Sequence, residues 1–355
     1  MNQTSKFPYK YTPISPIYFH LFSSNYTMDK PQEEMQEVGF FGIYKESFKT
    51  IFSWKKIFTQ ITLTFILPLS FIFLAHFIIA YILEWRISRA EDQIYYNNVD
   101  SERFYHRLST AYIGYWVFKF TYLSFLLLFS LLSTAAIVYT IASLYSGNEV
   151  TFKKVLKIVP KVWKRLALTF LWTYLGFFMY NVIAGVVYYI WETTTTYTTF
   201  AIVVLYILLA LYCVGFIYIT ALWQLASVVT VLESSYGLKA ILRGNSLIKG
   251  KRWLSWFVFF GLCCIFGGIL IMFFSFAWYG FFGLMMGLLC VFLLMNLFLL
   301  GYVAQTMLYL VCKSYHREPI DKMGLSSQLG GYLGEFEPAF KVDKDIQLGQ
   351  PQVQV

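Results

Sequence analysis

Residues 199–232 read TFAIVVLYILLALYCVGFIYITALWQLASVVTVL, a run that contains no Asp, Glu, Lys or Arg. The hydrocarbon core of a bilayer is about 30 Å thick, and about 20 apolar residues are enough to cross it as an α-helix. This run is longer than that, so it predicts a transmembrane helix that tilts or projects beyond the hydrocarbon core.

The composition of the whole chain extends this prediction. Of its 355 residues, 58% are hydrophobic and 13% are charged, whereas soluble proteins carry about 25% charged residues. The sequence therefore predicts an all-α, polytopic membrane protein with six transmembrane helices in three hairpins. The remaining five apolar runs cover residues 58–83, 111–145, 166–191, 254–278 and 281–311.

The charges of the connecting segments predict the orientation. Residues 84–110 carry four arginines against five acids, and residues 192–198 carry no basic residue. The segment before the first span, residues 146–165 and residues 233–253 are all rich in Lys and Arg. The positive-inside rule then places both termini in the cytoplasm, at the plasma membrane or an endomembrane such as the endoplasmic reticulum. The net charge of +9 is explained by these loops, and we expect no nucleic-acid partner.

A short pattern recurs before the first, third and fifth spans. Phe48–Phe52, Phe152–Leu156 and Leu238–Leu242 each read apolar, Lys, any residue, β-branched, apolar. Recurrence at the same place in successive hairpins indicates a repeated unit. We therefore predict a membrane domain over residues 40–315, with units of about 40–145, 149–232 and 236–312. A flexible cytoplasmic tail, 1–39, precedes it and a polar cytoplasmic tail, 316–355, follows.

Each unit is predicted to begin with a basic amphipathic helix in the headgroup plane. In the middle copy the apolar residues from Phe152 to Leu166 fall on one face at about 100° per residue, and the lysines occupy the other. These helices either serve topology and packing alone or also bind anionic lipid headgroups. The residues predicted to contact headgroups are Lys153, Lys154, Lys157, Lys161, Lys164, Arg165, Lys239, Arg243, Lys249, Lys251 and Arg252.

The third copy, Gly237–Trp253, contains glycines, lysines and a serine, but it does not match a phosphate-binding loop. That loop needs four residues between its glycines and Ser or Thr after the Lys. Here five residues separate Gly244 from Gly250, and Arg252 follows Lys251. The sequence instead predicts two short helical pieces, with a turn at Gly244-Asn245-Ser246.

Two stretches carry a resemblance to known families. Leu222–Glu233 followed by Gly237–Trp253, together with Gly147–Leu156, resembles the membrane domain that accompanies some bacterial glycerophosphodiester phosphodiesterases. Ile61–His76 resembles the first span of a plant family of uncharacterised six-span transmembrane proteins. The resemblance covers about residues 40–315 and implies this architecture and an association with lipids. It implies no reaction, because the phosphodiesterase chemistry belongs to a separate soluble domain.

Catalytic and metal-binding motifs are missing from the sequence. It contains no HExxH, no GxSxG and no CxxC, so we expect no enzymatic activity, no cofactor and no metal. Polar residues inside the spans are the remaining candidates for a site, because burying them in a membrane is costly. They are His76, Lys119, Gln224 and Gln305.

These four residues allow two interpretations. His76 and Lys119 are expected at similar depth in the first hairpin, either as a substrate, proton or ion site or as a hydrogen-bonded histidine beside a snorkelling lysine. Gln224 and Gln305 are expected to join spans four and six, with packing favoured over a pathway. Gly283 and Gly287 predict close helix contact within the chain, with homodimerisation as the second interpretation.

The sequence thus predicts a non-enzymatic membrane protein that interacts with lipids or acts as a scaffold. Membrane lipids are its expected partners, with anionic headgroups among them. The alternative is a transporter or channel for a small solute or lipid, which would need a continuous polar cavity lined by the intramembrane polar residues. A membrane-embedded lipid enzyme is the least favoured class.

Overall fold

The computed structural model describes residues 32–97, 102–147, 150–194, 198–233 and 235–318. These parts of the chain contain helices and no strand, which confirms the all-α prediction. Most of the two predicted tails, residues 1–31 and 319–355, lies outside the described residues. The helices are α1 Gln32–Gln36, α2 Phe40–Ser53, α3 Lys55–Ile61, α4 Leu67–Asn97, α5 Glu102–Tyr145, α6 Phe152–Thr194, α7 Thr199–Leu232, α8 Leu238–Ile248, α9 Arg252–Phe276 and α10 Gly280–Tyr315.

Six helical segments in the described part are long and apolar enough to cross a membrane, as predicted. They cover Lys55–Asp92, Leu108–Tyr145, Phe152–Thr194, Thr199–Leu232, Arg252–Phe276 and Gly280–Tyr315. The chain is therefore a multi-pass integral membrane protein. The last hairpin is tight, since only Ala277, Trp278 and Tyr279 separate α9 from α10.

The first span is irregular just before Pro68. Residues Thr62–Ile66 form a π-helical turn between α3 and α4, and the Leu67 N–H donates to the Thr62 carbonyl. Proline has no N–H to donate and its ring crowds the carbonyl four residues earlier. The widened turn accommodates both effects, and the hydroxyl of Ser70 donates to the Ile66 carbonyl at 2.9 Å.

The segments before the odd-numbered spans differ from one another. Before the first span the chain forms α2, which Trp54 separates from α3, the first two turns of the span itself. Before the third span there is no separate helix, because α6 runs from Phe152 to Thr194 and includes Pro160. The prediction of a distinct interfacial helix therefore does not describe the middle unit. Its apolar residues Val155 to Leu166 pack against the bundle instead, and its lysines remain outside.

The segment before the fifth span is one helix, α8, and the predicted turn at Gly244-Asn245-Ser246 is wrong. Gly244 is buried, and a Cβ at this position would lie 3.3 Å from the backbone nitrogen of Ala226. The glycine thus permits close approach between α8 and α7. Asn245 accepts a hydrogen bond from the Tyr218 hydroxyl at 2.8 Å, which is a second link between these helices.

The N-terminal segment, α8 and the end of α10 meet at one end of the bundle, which we call the terminal end. The Lys251 ammonium donates to the Gln36 carbonyl at 3.0 Å, and the Tyr44 hydroxyl donates to the Val258 carbonyl at 2.7 Å. Met35 is buried, so residues 32–39 belong to the packed bundle and the predicted flexible tail 1–39 is too long.

Candidate functional site

The first candidate surface is the basic face of α6 at the terminal end. Its apolar stripe is buried, with Val155, Ile158, Val159, Val162 and Leu166 at most 3% exposed. On the opposite face Lys153, Lys157, Lys161, Lys164 and Arg165 are exposed, and Lys154 is half-buried. The helix therefore presents a row of cations on its outer side and anchors them rigidly through the buried stripe.

The basic residues of the Gly237–Trp253 segment divide into two groups. Lys239, Lys249 and Arg252 are exposed. Arg243 and Lys251 make contacts inside the protein. Lys251 lies 5.3 Å from the centre of the Tyr315 ring as well as bonding to Gln36. These two predicted headgroup contacts therefore have intramolecular partners.

Glu233 lies at the end of α7, at the centre of a group of charged and polar side chains. We call this group the Glu233 cluster, and its other members are Arg243, Tyr309, Lys313 and Glu318. Its carboxylate accepts hydrogen bonds from the Tyr309 hydroxyl at 2.8 Å and from Arg243 Nε at 3.2 Å. Lys313 Nζ lies 3.9 Å away. Glu233 thus pairs with Arg243, a basic residue of the following helix, α8.

Arg243 also donates to the Glu318 carboxylate, which lies just after α10. This hydrogen bond raises the pKa of the Arg243 guanidinium above its usual value, and the charge of Glu233 acts in the same direction. The guanidinium therefore connects α7, α8 and the end of α10. This position and these contacts fit a structural link better than a substrate site.

His76 and Lys119 meet across the first hairpin, as expected. Lys119 Nζ lies 3.1 Å from His76 Nε2, and the imidazole stacks on the Tyr122 ring with 3.8 Å between ring centres. Lys119 also lies 5.2 Å from the centre of the Tyr115 ring. His76 Nδ1 is buried and has no hydrogen-bond partner among the described residues. The pair is partly enclosed by aromatic rings, and its role remains a prediction.

The two intramembrane glutamines do not form the expected link. Gln305 is fully buried, and neither its amide nitrogen nor its amide oxygen has a hydrogen-bond partner among the described residues. Gln224 instead lines a cavity in the middle of the bundle. Spans four and six do contact each other, but a Gln224–Gln305 hydrogen bond is not part of that contact.

This central cavity has a volume of about 440 Å³ and is lined by residues of all six spans. A volume of this size lies in the range of about 300–1,000 Å³ that is typical of small-molecule sites. Most lining side chains are aliphatic or aromatic, and none is charged. The sequence gives no signal for the cavity, because its lining residues are spaced through six runs that all look apolar.

Apart from Gln224, the polar groups of the central cavity were not predicted from the sequence. The Tyr302 and Ser130 hydroxyl oxygens lie 3.3 Å apart. Trp223 lines the cavity, and its indole N–H is buried without a hydrogen-bond partner among the described residues. Together with Gln224 these residues offer hydrogen-bonding groups within an otherwise apolar space.

A second space, of about 300 Å³, lies between α4, α9 and α10. Gly283 and Gly287 both line it. A Cβ on Gly283 would lie 2.7 Å from the Phe276 carbonyl oxygen, whereas one on Gly287 would meet nothing within 4 Å. Gly283 therefore permits the close approach of α10 to the end of α9 in the tight hairpin. Gly287 makes no such close contact, so the two glycines do not form a close-packing pair.

Among the described residues, no group of three or more His, Cys, Asp and Glu side chains is placed to hold a metal ion. None of the curated proteins and none of the solved structures matches the chain. One family model does match, over residues 28–351, which is most of the sequence. This six-span membrane protein therefore belongs to the family described as a domain of unknown function, DUF8558.

Proposed function

We propose that this protein is a lipid-interacting membrane protein whose terminal end binds anionic headgroups and that it catalyses no reaction of its own. The observation that carries the proposal is the outer face of α6, where five basic side chains are exposed opposite a buried apolar stripe. Each Lys or Arg near an anionic surface contributes about 1 kcal/mol. A row of such residues on one helix face favours phosphatidylserine or phosphoinositide headgroups.

The test compares two double variants in nanodiscs that contain phosphatidylserine in both leaflets. Lys157→Gln with Lys164→Gln should weaken the retention of phosphatidylserine in native mass spectrometry roughly 30-fold, because two contacts of about 1 kcal/mol are lost. The matched control is Arg86→Gln with Arg89→Gln, which removes two exposed cations of α4 at the other end. Equal retention in the two double variants would contradict the headgroup proposal.

The orientation belongs to the same proposal. We propose that the terminal end faces the cytoplasm, where anionic lipids are concentrated, at the plasma membrane or an endomembrane. The distribution of Lys and Arg between the loops supports this. A glycosylation sequon introduced within residues 192–198 should be modified in microsomes, whereas one placed between Ser235 and Gly237 should stay unmodified. Modification of the second sequon and not of the first would show that the terminal end faces away from the cytoplasm.

A polar-solute transporter or channel is the alternative function. It requires His76, Lys119, Gln224 and Gln305 to contribute to one route, yet Gln224 is the one among them that lines the central cavity. His76 and Lys119 contact each other, and the cavity lining is mainly apolar. These positions favour lipid interaction. Flux of small ions or polar solutes through proteoliposomes, absent from empty liposomes, would favour the alternative.

The relation to the plant six-span family and to the phosphodiesterase-associated membrane domain is also a proposal. It is supported by the resemblance of Ile61–His76 and of Leu222–Trp253, and it agrees with a role in lipid association. We assign no catalytic step, because the sequence carries no hydrolase motif. Turnover of a glycerophospholipid by the purified protein would refute this part.

A further inference from the structure

We propose that the central cavity binds one single-chain, uncharged amphiphile, with its polar head toward the terminal end of the bundle. This site lies inside the bundle and goes beyond the headgroup surface of the proposed function. It does not depend on that surface, because the two share no residue. The argument rests on where the polar and apolar lining residues lie along the bundle.

The direction of each helix gives the position of its lining residues relative to the terminal end. The Thr169 and Thr230 hydroxyl oxygens lie 2.9 Å apart, and Tyr309 bonds to Glu233, so these residues lie near the terminal end. Residue numbers rise away from this end in α4, α6 and α9, and they rise toward it in α5, α7 and α10. The order of lining residues along each helix therefore gives their relative depth.

Most polar lining residues of α5, α7 and α10 lie on the terminal side of the cavity, and on α6 Tyr174 lies between Phe170 and Phe177. On α5, Ser130 and Thr134 follow Leu126 and Leu127 toward the terminal end, and on α10 Tyr302 follows Leu297 and Phe298. On α7, Trp223 and Gln224 follow Phe216 in the same direction. Thr220 lies deeper, but its hydroxyl donates to the Phe216 carbonyl at 2.9 Å.

The far side of the cavity is formed by aromatic rings. The Phe73 ring centre lies 5.5 Å from that of Phe266 and 6.2 Å from that of Phe298. These three rings line the cavity from α4, α9 and α10. The lining therefore changes along the membrane normal from a side richer in hydrogen-bonding groups to a mainly aromatic side, which matches a molecule with a polar head and a hydrocarbon chain.

The chemistry of the head follows from the lining. No charged side chain lines the cavity, so a charged head would be buried without a partner, which is costly. An uncharged hydroxyl can exchange hydrogen bonds with the polar side chains of Gln224, Ser130 and Tyr302, which line the cavity. A hydroxyl or glyceryl head fits this set, whereas a carboxylate, sulfonate or ammonium does not.

The volume limits the occupant to one chain. A volume of about 440 Å³ lies in the lower part of the range of about 300–1,000 Å³ typical of small-molecule sites. Such a volume suits a single unbranched chain with a small head. A two-chain phospholipid is far too large to enter completely.

The experiment uses the full-length protein in nanodiscs and 1-dodecanol that carries a mid-chain diazirine. Illumination should give saturable adducts on peptides that contain Phe266 and Phe298, as read by mass spectrometry. Unlabelled dodecanol should compete, and dodecanesulfonate should compete at least about tenfold more weakly because its charge has no partner. Adducts that do not saturate, or equal competition by the sulfonate, would overturn the proposal.

Substitutions separate the cavity from general membrane partitioning. Gly301→Phe places a ring in the cavity, since Gly301 lines it and a Cβ there would meet its nearest neighbour, Leu262, only at 3.9 Å. It should lower labelling at least about tenfold. Gly287→Phe, on the same helix but lining the second space, is the matched control and should keep labelling of Phe266 and Phe298 unchanged. Equal labelling of both variants would refute the site.

If Gly301→Phe does not fold, a second pair of variants tests whether the cavity binds the polar head as proposed. Ser130→Ala and Gln224→Leu should each weaken competition by dodecanol roughly three- to tenfold, the range of one hydrogen bond. Competition by dodecane should stay the same, and a parallel loss for both competitors would overturn the assignment of the polar head. Lys157→Gln with Lys164→Gln should leave labelling unchanged, so the two proposals can fail separately.

Discussion

The Glu233 cluster makes the most direct prediction about the stability of the bundle. The Glu233 side chain is 17% exposed and accepts from Tyr309 at 2.8 Å and from Arg243 at 3.2 Å. Hydrogen bonds to charged groups contribute about 1.5–3 kcal/mol each. The Arg243 side chain is 33% exposed, so solvent screening reduces its contribution to about 1 kcal/mol or less.

Tyr309→Phe should therefore lower the free energy of unfolding by about 1.5–3 kcal/mol, since it removes the donor to a mostly buried carboxylate. Glu233→Gln should cost about 2–3 kcal/mol, because Arg243 and Lys313 both lose a nearby negative charge. The double variant should cost less than the sum, with a coupling energy of about 1–2 kcal/mol.

The assay is equilibrium unfolding in mixed detergent micelles, followed by circular dichroism. Tyr206→Phe is the control, because the Tyr206 side chain on α7 is 67% exposed. It should change the free energy of unfolding by less than about 0.5 kcal/mol. If the effects of Tyr309→Phe and Glu233→Gln add to within about 0.5 kcal/mol, the two side chains do not interact as described and the reasoning is refuted.

Three further substitutions can be measured in the same way. Gly250→Ala should cost at least about 1–2 kcal/mol, because Gly250 has φ +94° and its new Cβ would lie 2.2 Å from Cε1 of Tyr315. Gly244→Ala should cost about 1–3 kcal/mol, since its Cβ would press on the backbone of Ala226 at 3.3 Å. Burial raises the pKa of Tyr44 from 10.0 to about 12, so its contribution to stability is complete below pH 10 and is lost as the pH rises toward 12. The stability difference between wild type and Tyr44→Phe should therefore be constant below pH 10 and shrink above it.

Control substitutions are available for the two glycine variants and for the pH series. Gly176→Ala, at a helical glycine whose new Cβ would meet nothing within 4 Å, should be neutral or stabilising because alanine has the better helix propensity. A loss as large as that of Gly244→Ala would contradict the close approach of α8 and α7. For the alkaline series, Tyr206→Phe should show a pH-independent difference from wild type.

The six spans were predictable because the bilayer acts as a solvent with a fixed thickness. A run such as 199–232 can satisfy its backbone in hydrocarbon only by forming a helix, so length and polarity decide the element. The contact between His76 and Lys119 followed from the same reasoning. In two antiparallel helices joined by a loop, residues that are equally far from the loop along each helix lie at the same depth in the membrane.

The departures from prediction arise where packing between helices decides the structure. An amphipathic pattern shows which face of residues 152–166 is apolar, but it does not say whether lipid or protein covers that face. The sequence equally suggests a turn at Gly244-Asn245-Ser246, and only the nearby α7 backbone explains why a glycine belongs within a helix there. Met35 joins the core for a similar reason, because Tyr145 and α10 offer it a packing surface.

The central cavity is the feature furthest from prediction, and its energetics connect it with the membrane. If a space of about 440 Å³ were empty, its lining side chains would lack dispersion contacts on the side that faces it. Large rings line the cavity, including Phe73, Phe266 and Phe298, and so does Gly301, which has no side chain to fill it.

A hydrocarbon chain in that space restores the dispersion contacts that the walls would otherwise lack. The membrane supplies such chains at high local concentration, so a gap that would destabilise a soluble protein becomes a binding site here. Binding to the folded state alone stabilises that state by mass action. Occupancy of the cavity and stability of the six-helix bundle are therefore linked, and the amphiphile content of the membrane sets both.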